Sequence, residues 1–192
     1  MTSIQIVQRR DINRIDLRHM HELRAKVFRD RMGWEVPVLA GMEIVGYDAL
    51  EPHYMVIRNQ EQRVCGTWRI MPTEGPYMLK DTFPELLHGA PAPEAHDVWE
   101  LSRFAIETEG DGSFGFADRA KEAMREIVHF ADKHKISKYV TVTTTSIERL
   151  LRHTGIEIKR IGAPLRIGVE RAVALEILLG EQTRKALMIT LH

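Results

Sequence analysis

The stretch Ala117 to Thr145, ADRAKEAMREIVHFADKHKISKYVTVTTT, changes its period near the middle. Ala117, Ala120, Met124, Ile127, Val128 and Ala131 recur at helical spacing, which predicts a helix from Ala117 to Lys135. From Tyr139 to Thr145 every residue after the tyrosine is β-branched, which predicts a buried strand. A helix that hands the chain to a buried strand belongs to a sheet with helices packed on it.

Outward from this unit, Ser146 is placed to cap a further helix that stops at Gly155. Leu165 to Leu178 reads as the last long strand before a short helical tail. Toward the N-terminus, Val98 to Ile106 has strand character. The proline-rich stretch from Pro72 to Asp97 reads as irregular, with a short helix near Phe83 to Leu87. His53 to Arg58 and Arg63 to Met71 form a predicted hairpin around the polar turn Asn59 to Gln62. Residues 31 to 52 carry Gly33, Pro37, Gly41, Gly46 and Pro52, the pattern of a long ordered loop that serves a binding site. Ser3 to Gln8 is a strand. Asp16 then opens a helix whose stripe is Leu17, Met20, Leu23 and Val27. Strands alternating with helices in this order make the class α/β: a three-layer sandwich around a mixed, twisted sheet.

The 192 residues, 44% apolar and without a Pro/Gly/Ser-rich linker, read as one domain over 1–192. Cys65 is the only cysteine, so no internal disulfide forms, and neither a signal peptide nor an apolar run of membrane-spanning length is visible. A cytoplasmic protein without membrane contact is expected. The nine histidines are scattered, and no metal site is expected. The chain is neutral overall, yet nine Lys/Arg stand against three Glu between Lys133 and Arg171, leaving +6 there and −6 elsewhere. That basic segment lacks the interleaved aromatics of a nucleic-acid surface, so an acidic protein is the partner it would suit.

Four clusters put charge inside apolar surroundings: Arg24, Phe28 and Trp34 in HELRAKVFRDRMGW; Tyr47 and Asp48 in MEIVGYDAL; Arg69 in CGTWRI; Glu100, Ser102 and Arg103 in WELSRFAI. Charges so placed cost several kcal/mol each unless paired, so a mutual network of both signs is expected. Beside a pocket, such a network with an aromatic wall suits a zwitterionic ligand.

Together with GPYMLKDTFPELLHG, VTVTTTSIERLLRHTG and RIGVERAVAL, these words in this order resemble the autoinducer synthase family, the acyl-homoserine lactone synthases of bacterial quorum sensing. The resemblance covers nearly the whole chain. It implies an acyltransferase (GNAT)-like fold, transfer of an acyl group from acyl carrier protein to the amine of S-adenosylmethionine, and lactonisation with release of methylthioadenosine. S-adenosylmethionine is then a substrate, and no cofactor is implied. The resemblance assigns Arg24, Phe28, Trp34, Asp48, Arg69 and Phe83 to the S-adenosylmethionine site and Glu100, Ser102 and Arg103 to the chemistry. Glu100 suits the general base that frees the amine, and a backbone N–H near Arg103 or Phe104 would face the developing oxyanion. Met78, Phe104, Met124, Thr143, Ile147 and Leu151 are candidates to line the acyl chain, and Thr143 is matched in the family to acyl groups with a 3-oxo substituent. Arg149, Arg152 and Arg166 are the candidate docking residues for the acidic carrier protein, ahead of Lys159 and Arg160.

Two features strain the pattern. On a regular strand Glu100 and Ser102 face one side and Arg103 the other, which predicts a bulge between Glu100 and Phe104 or two separate sets of partners. The family usually carries an acidic residue where this chain has Val45. That leaves the network a carboxylate short, at about 1–3 kcal/mol, unless Glu43 turns inward. An acyl-CoA-dependent N-acyltransferase and a non-catalytic S-adenosylmethionine or carrier-protein binder are the rival readings. For the former, which would need a glycine-rich loop opening a helix, the nearest candidate, the run from Gly110 to Gly115, is a weak match.

Overall fold

The computed structural model describes residues 3–107 and 113–189. They pack as two compact units, one of residues 3–71 and 102–107 and the other of 72–101 and 113–189. Residues 110–112 of the run Gly110 to Gly115 lie outside the described residues, and the rest begins a helix.

The first unit opens with strand β1, Ser3–Gln8. Helix α1, Arg14–Ala25, starts two residues before the expected Asp16 because Asn13 is its cap: the Asn13 side chain accepts the Asp16 N–H at 2.9 Å. Asp16 instead pairs with Arg58 at 2.5 Å. The helix runs on into a π-helical turn, Lys26–Arg31. The expected loop beyond it is partly ordered into a two-residue hairpin, β2 (Val38–Leu39) with β3 (Met42–Glu43), and a 3-10 turn, Gly46–Leu50. Strands β4 (His53–Arg58) and β5 (Val64–Pro72) form the expected hairpin, with the Asn59 side chain accepting the Glu61 and Arg63 N–H groups in the turn. Within this unit the strand order is β1-β4-β5, closed by residues 102–106 of β6, Val98–Ile106. Its core holds Met20, Leu23, Val27 and Phe28 from α1 and the π turn against Tyr54, Val56, Val64 and Ala105 from the sheet.

The second unit contains the short helix α2, Met78–Asp81, and a 3-10 turn, Pro84–Leu87, followed by residues 98–101 of β6. Helix α3, Ser113–His134, leads into β7, Lys138–Thr144, as its periodicity predicts. Helix α4, Thr145–His153, is capped by Thr144, whose hydroxyl accepts the Ile147 N–H, and not by Ser146. Gly155 ends it at φ +84°, a conformation glycine adopts without strain. The predicted long strand from Leu165 is two strands: β9, Leu165–Ile167, turns at Gly168 (φ +59°) and pairs back on β10, Glu170–Leu178. The three-residue strand β8, Ile158–Arg160, lies on the other part of β10, and α5, Glu181–Ala186, is the expected helical tail. The sheet is mixed: β6 and β7 are parallel, while β7-β10 and β10-β8 are antiparallel. Tyr139 on β7 donates to the Ile127 carbonyl of α3 from one face. From the other face Val140 joins a core of Tyr77, Leu79, Leu86 and Val98, so helical layers cover both sides of this strand. The α/β class with a mixed sheet is therefore as expected.

Candidate active site

The end of α1 sets the first part of the site. Arg24 lies on the buried face beside Met20 and Leu23 and is wholly enclosed. The π turn that follows widens the helix by one residue per turn and re-aims Phe28, whose ring stacks on Trp34 at 5.4 Å and 7°. The Trp34 N–H donates to the Phe28 carbonyl at 2.8 Å, which ties the end of the turn to its middle.

Around Arg24 the first unit assembles a closed network of charge. Its Nη1 and Nη2 donate to Asp48 Oδ1 (2.8 Å) and Oδ2 (3.0 Å), and its Nε donates to Glu43. Arg69 donates from Nη1 to Asp48 Oδ1 (3.1 Å) and from Nε to Ser102 Oγ (3.1 Å), with its guanidinium over the Tyr47 ring. Arg103 donates to Glu43 Oε1 at 3.0 Å and lies over the Phe28 ring at 5.2 Å. Tyr54 Oη and the Val45 N–H complete Asp48 at 2.6 and 2.9 Å. The 3-10 turn presents Asp48, β3 presents Glu43, and β5 and β6 present Arg69 and Arg103.

This arrangement meets the difficulty of strand parity. Arg103 has φ +58° inside β6, so the strand is irregular between Glu100 and Phe104 and Arg103 leaves its regular face. Glu100 keeps other company. Its carboxylate accepts the Met78 N–H (3.1 Å) and the Leu79 N–H (2.8 Å), and it is fully buried in the second unit.

Among the described residues three guanidiniums face two carboxylates in this network, which leaves one positive charge in excess. The neighbours do not cancel it. Burial pushes the Tyr54 hydroxyl up and Asp48 adds to the effect, so it stays protonated. Burial pushes Arg103 down to about 10, with the charges of Arg24 and Arg69 adding and Glu43 opposing, so Arg103 is still a cation at neutral pH. His21, whose Nδ1 lies 2.8 Å from the Glu43 carbonyl, is pushed down by burial and by Arg24 and is neutral there. Nη2 of Arg69 and Nε1 of Trp34 are buried with no hydrogen-bond partner among the described residues. Trp34, Tyr47 and Arg103 are the members of the cluster that reach partial exposure.

The remaining candidates fall as follows. Phe83 precedes the Pro84–Leu87 turn and packs on the core of Tyr77 and Leu86. Phe104 packs on Trp68 with ring centroids 4.5 Å apart. Met78, Met124 and Leu151 are buried and Thr143 and Ile147 half-buried in the second unit. Arg149 and Arg152 stand exposed on α4 and Arg166 exposed on β9. Arg152 and Arg160 are both held by the buried Glu148, at 3.0 and 2.8 Å. Glu43 turns inward, the compensation for Val45 that the sequence offers, and bridges Arg24 and Arg103. Tyr54, His21 and Glu148 are absent from the sequence reading as site residues, since each looks locally like an ordinary strand or helix residue. A separate pocket of about 80 Å³ lined by His19, Glu22, Leu23, Lys26, Arg63, Val64 and Glu107 holds no network residue and is too small for a nucleoside-bearing ligand.

The autoinducer synthase family model matches residues 8–187. An acyl-homoserine-lactone synthase of Pseudomonas aeruginosa is 50% identical over 96% of this chain and 92% of its own length. The crystal structure of the AHL synthase LasI superposes with a TM-score of 0.93 at 47% identity, over 100% of this chain and 98% of that one. TofI, solved in a ternary complex with an inhibitor and MTA, gives a TM-score of 0.85 at 30% identity, over 99% of this chain and 97% of that one.

Proposed function

Because this chain belongs to the autoinducer synthase family and is an acyltransferase of the acyl-homoserine-lactone synthase type, we propose that it acylates the amine of S-adenosylmethionine from an acyl carrier protein thioester. The product of that step then closes to the lactone. The observation that carries this reading is the uncompensated charge of the network: three arginines, two carboxylates, and an Arg69 Nη2 with no partner among the described residues. A substrate carboxylate would supply the missing anion and the missing acceptor together. Phe28 and Trp34 offer a stacked aromatic wall for the sulfonium and its adenosyl group.

In the first step Glu100 takes a proton from the substrate ammonium, by the role the resemblance gives it. Its carboxylate accepts the Met78 and Leu79 N–H groups, which hold it in a fixed orientation. The freed amine attacks the thioester carbonyl, the amide C–N bond forms, the C–S bond breaks, and the proton the nitrogen then loses goes to the leaving thiolate, which departs as the carrier thiol. In the second step a methionyl carboxylate oxygen attacks the carbon next to the sulfonium. That C–S bond breaks, its electron pair goes to sulfur, and neutral methylthioadenosine leaves; proximity supplies most of the rate.

The basic segment supports the carrier protein as donor: Arg149, Arg152 and Arg166 are exposed, and Glu148 fixes Arg152 in place. Thr143, half-buried on β7, has a hydroxyl able to donate to a 3-oxo group. The deciding experiment gives the purified protein S-adenosylmethionine with acyl carrier protein or acyl-CoA thioesters of graded length, following methylthioadenosine and identifying the lactone by mass spectrometry. Turnover with the carrier thioester is expected. Turnover with acyl-CoA alone would move the reaction to the other donor, and no methylthioadenosine with either would refute the reading.

A further inference from the structure

Two residues before Arg69 on β5, Thr67 is 1% exposed, and its hydroxyl has no hydrogen-bond partner among the described residues. A buried hydroxyl left unsatisfied costs about 1–3 kcal/mol, so valine would serve the fold better at this position. The strand register fixes where the group points. Val56 lies opposite Thr67 and Tyr54 opposite Arg69, and side chains alternate along a strand, so these four share one face. It is the face on which Tyr54 Oη and Arg69 Nη1 converge on Asp48. Here, then, are two neighbouring donors without acceptors, Thr67 Oγ1 and Arg69 Nη2, at i and i+2 of one strand. The Cα atoms of the two residues are about 7 Å apart along the strand, so the two side chains rise next to each other from the same face.

We propose that Thr67 is a substrate-binding residue: its hydroxyl and Arg69 Nη2 together take the carboxylate of the amino-acid substrate. The assignment deepens the proposed function and rests on it. It also accounts for a buried hydroxyl that has no hydrogen-bond partner among the described residues.

The test uses Thr67→Val, which keeps the shape and removes the hydroxyl, Thr67→Ser, which keeps the hydroxyl, and Arg69→Lys. Calorimetry of the whole protein measures affinity for S-adenosylmethionine and for methylthioadenosine, which has no carboxylate, and urea titration measures the stability of the ligand-free protein. Thr67→Val is expected to be as stable as the parent or more so, to bind S-adenosylmethionine about tenfold more weakly, equivalent to about 1.4 kcal/mol, and to bind methylthioadenosine unchanged. Thr67→Ser should recover the loss. A Thr67→Val protein that loses stability yet keeps its S-adenosylmethionine affinity would overturn the proposal, since the hydroxyl would then serve the fold. If Arg69→Lys weakens S-adenosylmethionine while Thr67→Val does not, Thr67 alone is misassigned. If neither variant changes that affinity, the substrate carboxylate lies elsewhere and the proposal falls, while the proposed function is still decided by methylthioadenosine release. A parent protein that does not bind S-adenosylmethionine at all would remove the function itself.

Discussion

Arg24 and Asp48 meet as a two-pronged pair, Nη1 to Oδ1 at 2.8 Å and Nη2 to Oδ2 at 3.0 Å, with both side chains closed to solvent. Among the described residues Asp48 accepts five hydrogen bonds, from Arg24, Arg69, Tyr54 and the Val45 backbone. Asp48→Asn keeps the shape and removes the charge, stranding two buried cations. A loss of about 3–5 kcal/mol in urea unfolding at neutral pH is expected. Burial raises this carboxyl, but Arg24 above all, then Arg69 and Tyr54, hold it well below the usual carboxylate range. A depressed folded value means the stabilisation is present above the unfolded value of about 3.9 and fades as pH falls through the folded one. The gap between parent and Asp48→Asn should therefore narrow only below about pH 4; a gap that already narrows at pH 6 would point to another group.

Gly162 has no room for a side chain. A Cβ there would stand 2.3 Å from His88 Cδ2 and 2.8 Å from the Leu86 carbonyl oxygen, and His88 is itself fixed through Nε2 to the Ala163 carbonyl at 2.7 Å. Gly162→Ala should cost about 1–3 kcal/mol. Adding His88→Ala to it should recover only part, because the backbone oxygen of Leu86 does not move away. Complete recovery in thermal unfolding would show that the side-chain clash was the whole effect.

Carrier docking on the basic segment predicts a salt-sensitive KM. Arg149 is exposed on α4, whereas Arg152 and Arg160 already share Glu148. Arg149→Glu should raise KM for the acyl carrier protein several-fold at low salt, an effect that shrinks as the screening length falls toward about 3 Å at 1 M. KM for S-adenosylmethionine should stay the same. An equal rise for both substrates would remove Arg149 from docking.

Much of this was legible from periodicity. The bounds of β1, β4 and β6 follow from alternation and β-branching, and the existence of α3 from its apolar stripe, though it begins four residues earlier, at Ser113 rather than Ala117. The caps lie three residues earlier at Asn13 and two earlier at Thr144, because Asp16 and Ser146 are equally good capping types and only backbone geometry chooses between them. The hairpin at Gly168 was hidden because the flanking residues are strand-forming on both sides, and β8 is too short to show a period. At the site, Arg24, Asp48, Arg69 and Arg103 announced themselves as charges in apolar segments. Tyr54 did not, since a tyrosine on a strand needs no further reason.

Glu43 closes the argument over Val45. It is fully buried and bridges Arg24 and Arg103, while the half-buried Val45 contributes only its backbone N–H, to Asp48. With two carboxylates serving three arginines, losing either should be severe. Glu43→Gln is expected to cost about 3–5 kcal/mol of stability and, by loosening Arg103, to lower kcat/KM for S-adenosylmethionine by about tenfold or more. Introducing Val45→Asp into Glu43→Gln returns a carboxylate two residues away in the chain and should restore part of the lost stability, because the count of opposite charges is made good. Urea unfolding of the parent, both single variants and the double variant forms a cycle that reads this coupling directly. A coupling of zero would mean that a carboxylate at residue 45 does not reach the arginines Glu43 serves, and that Glu43 holds its place in the network on its own account.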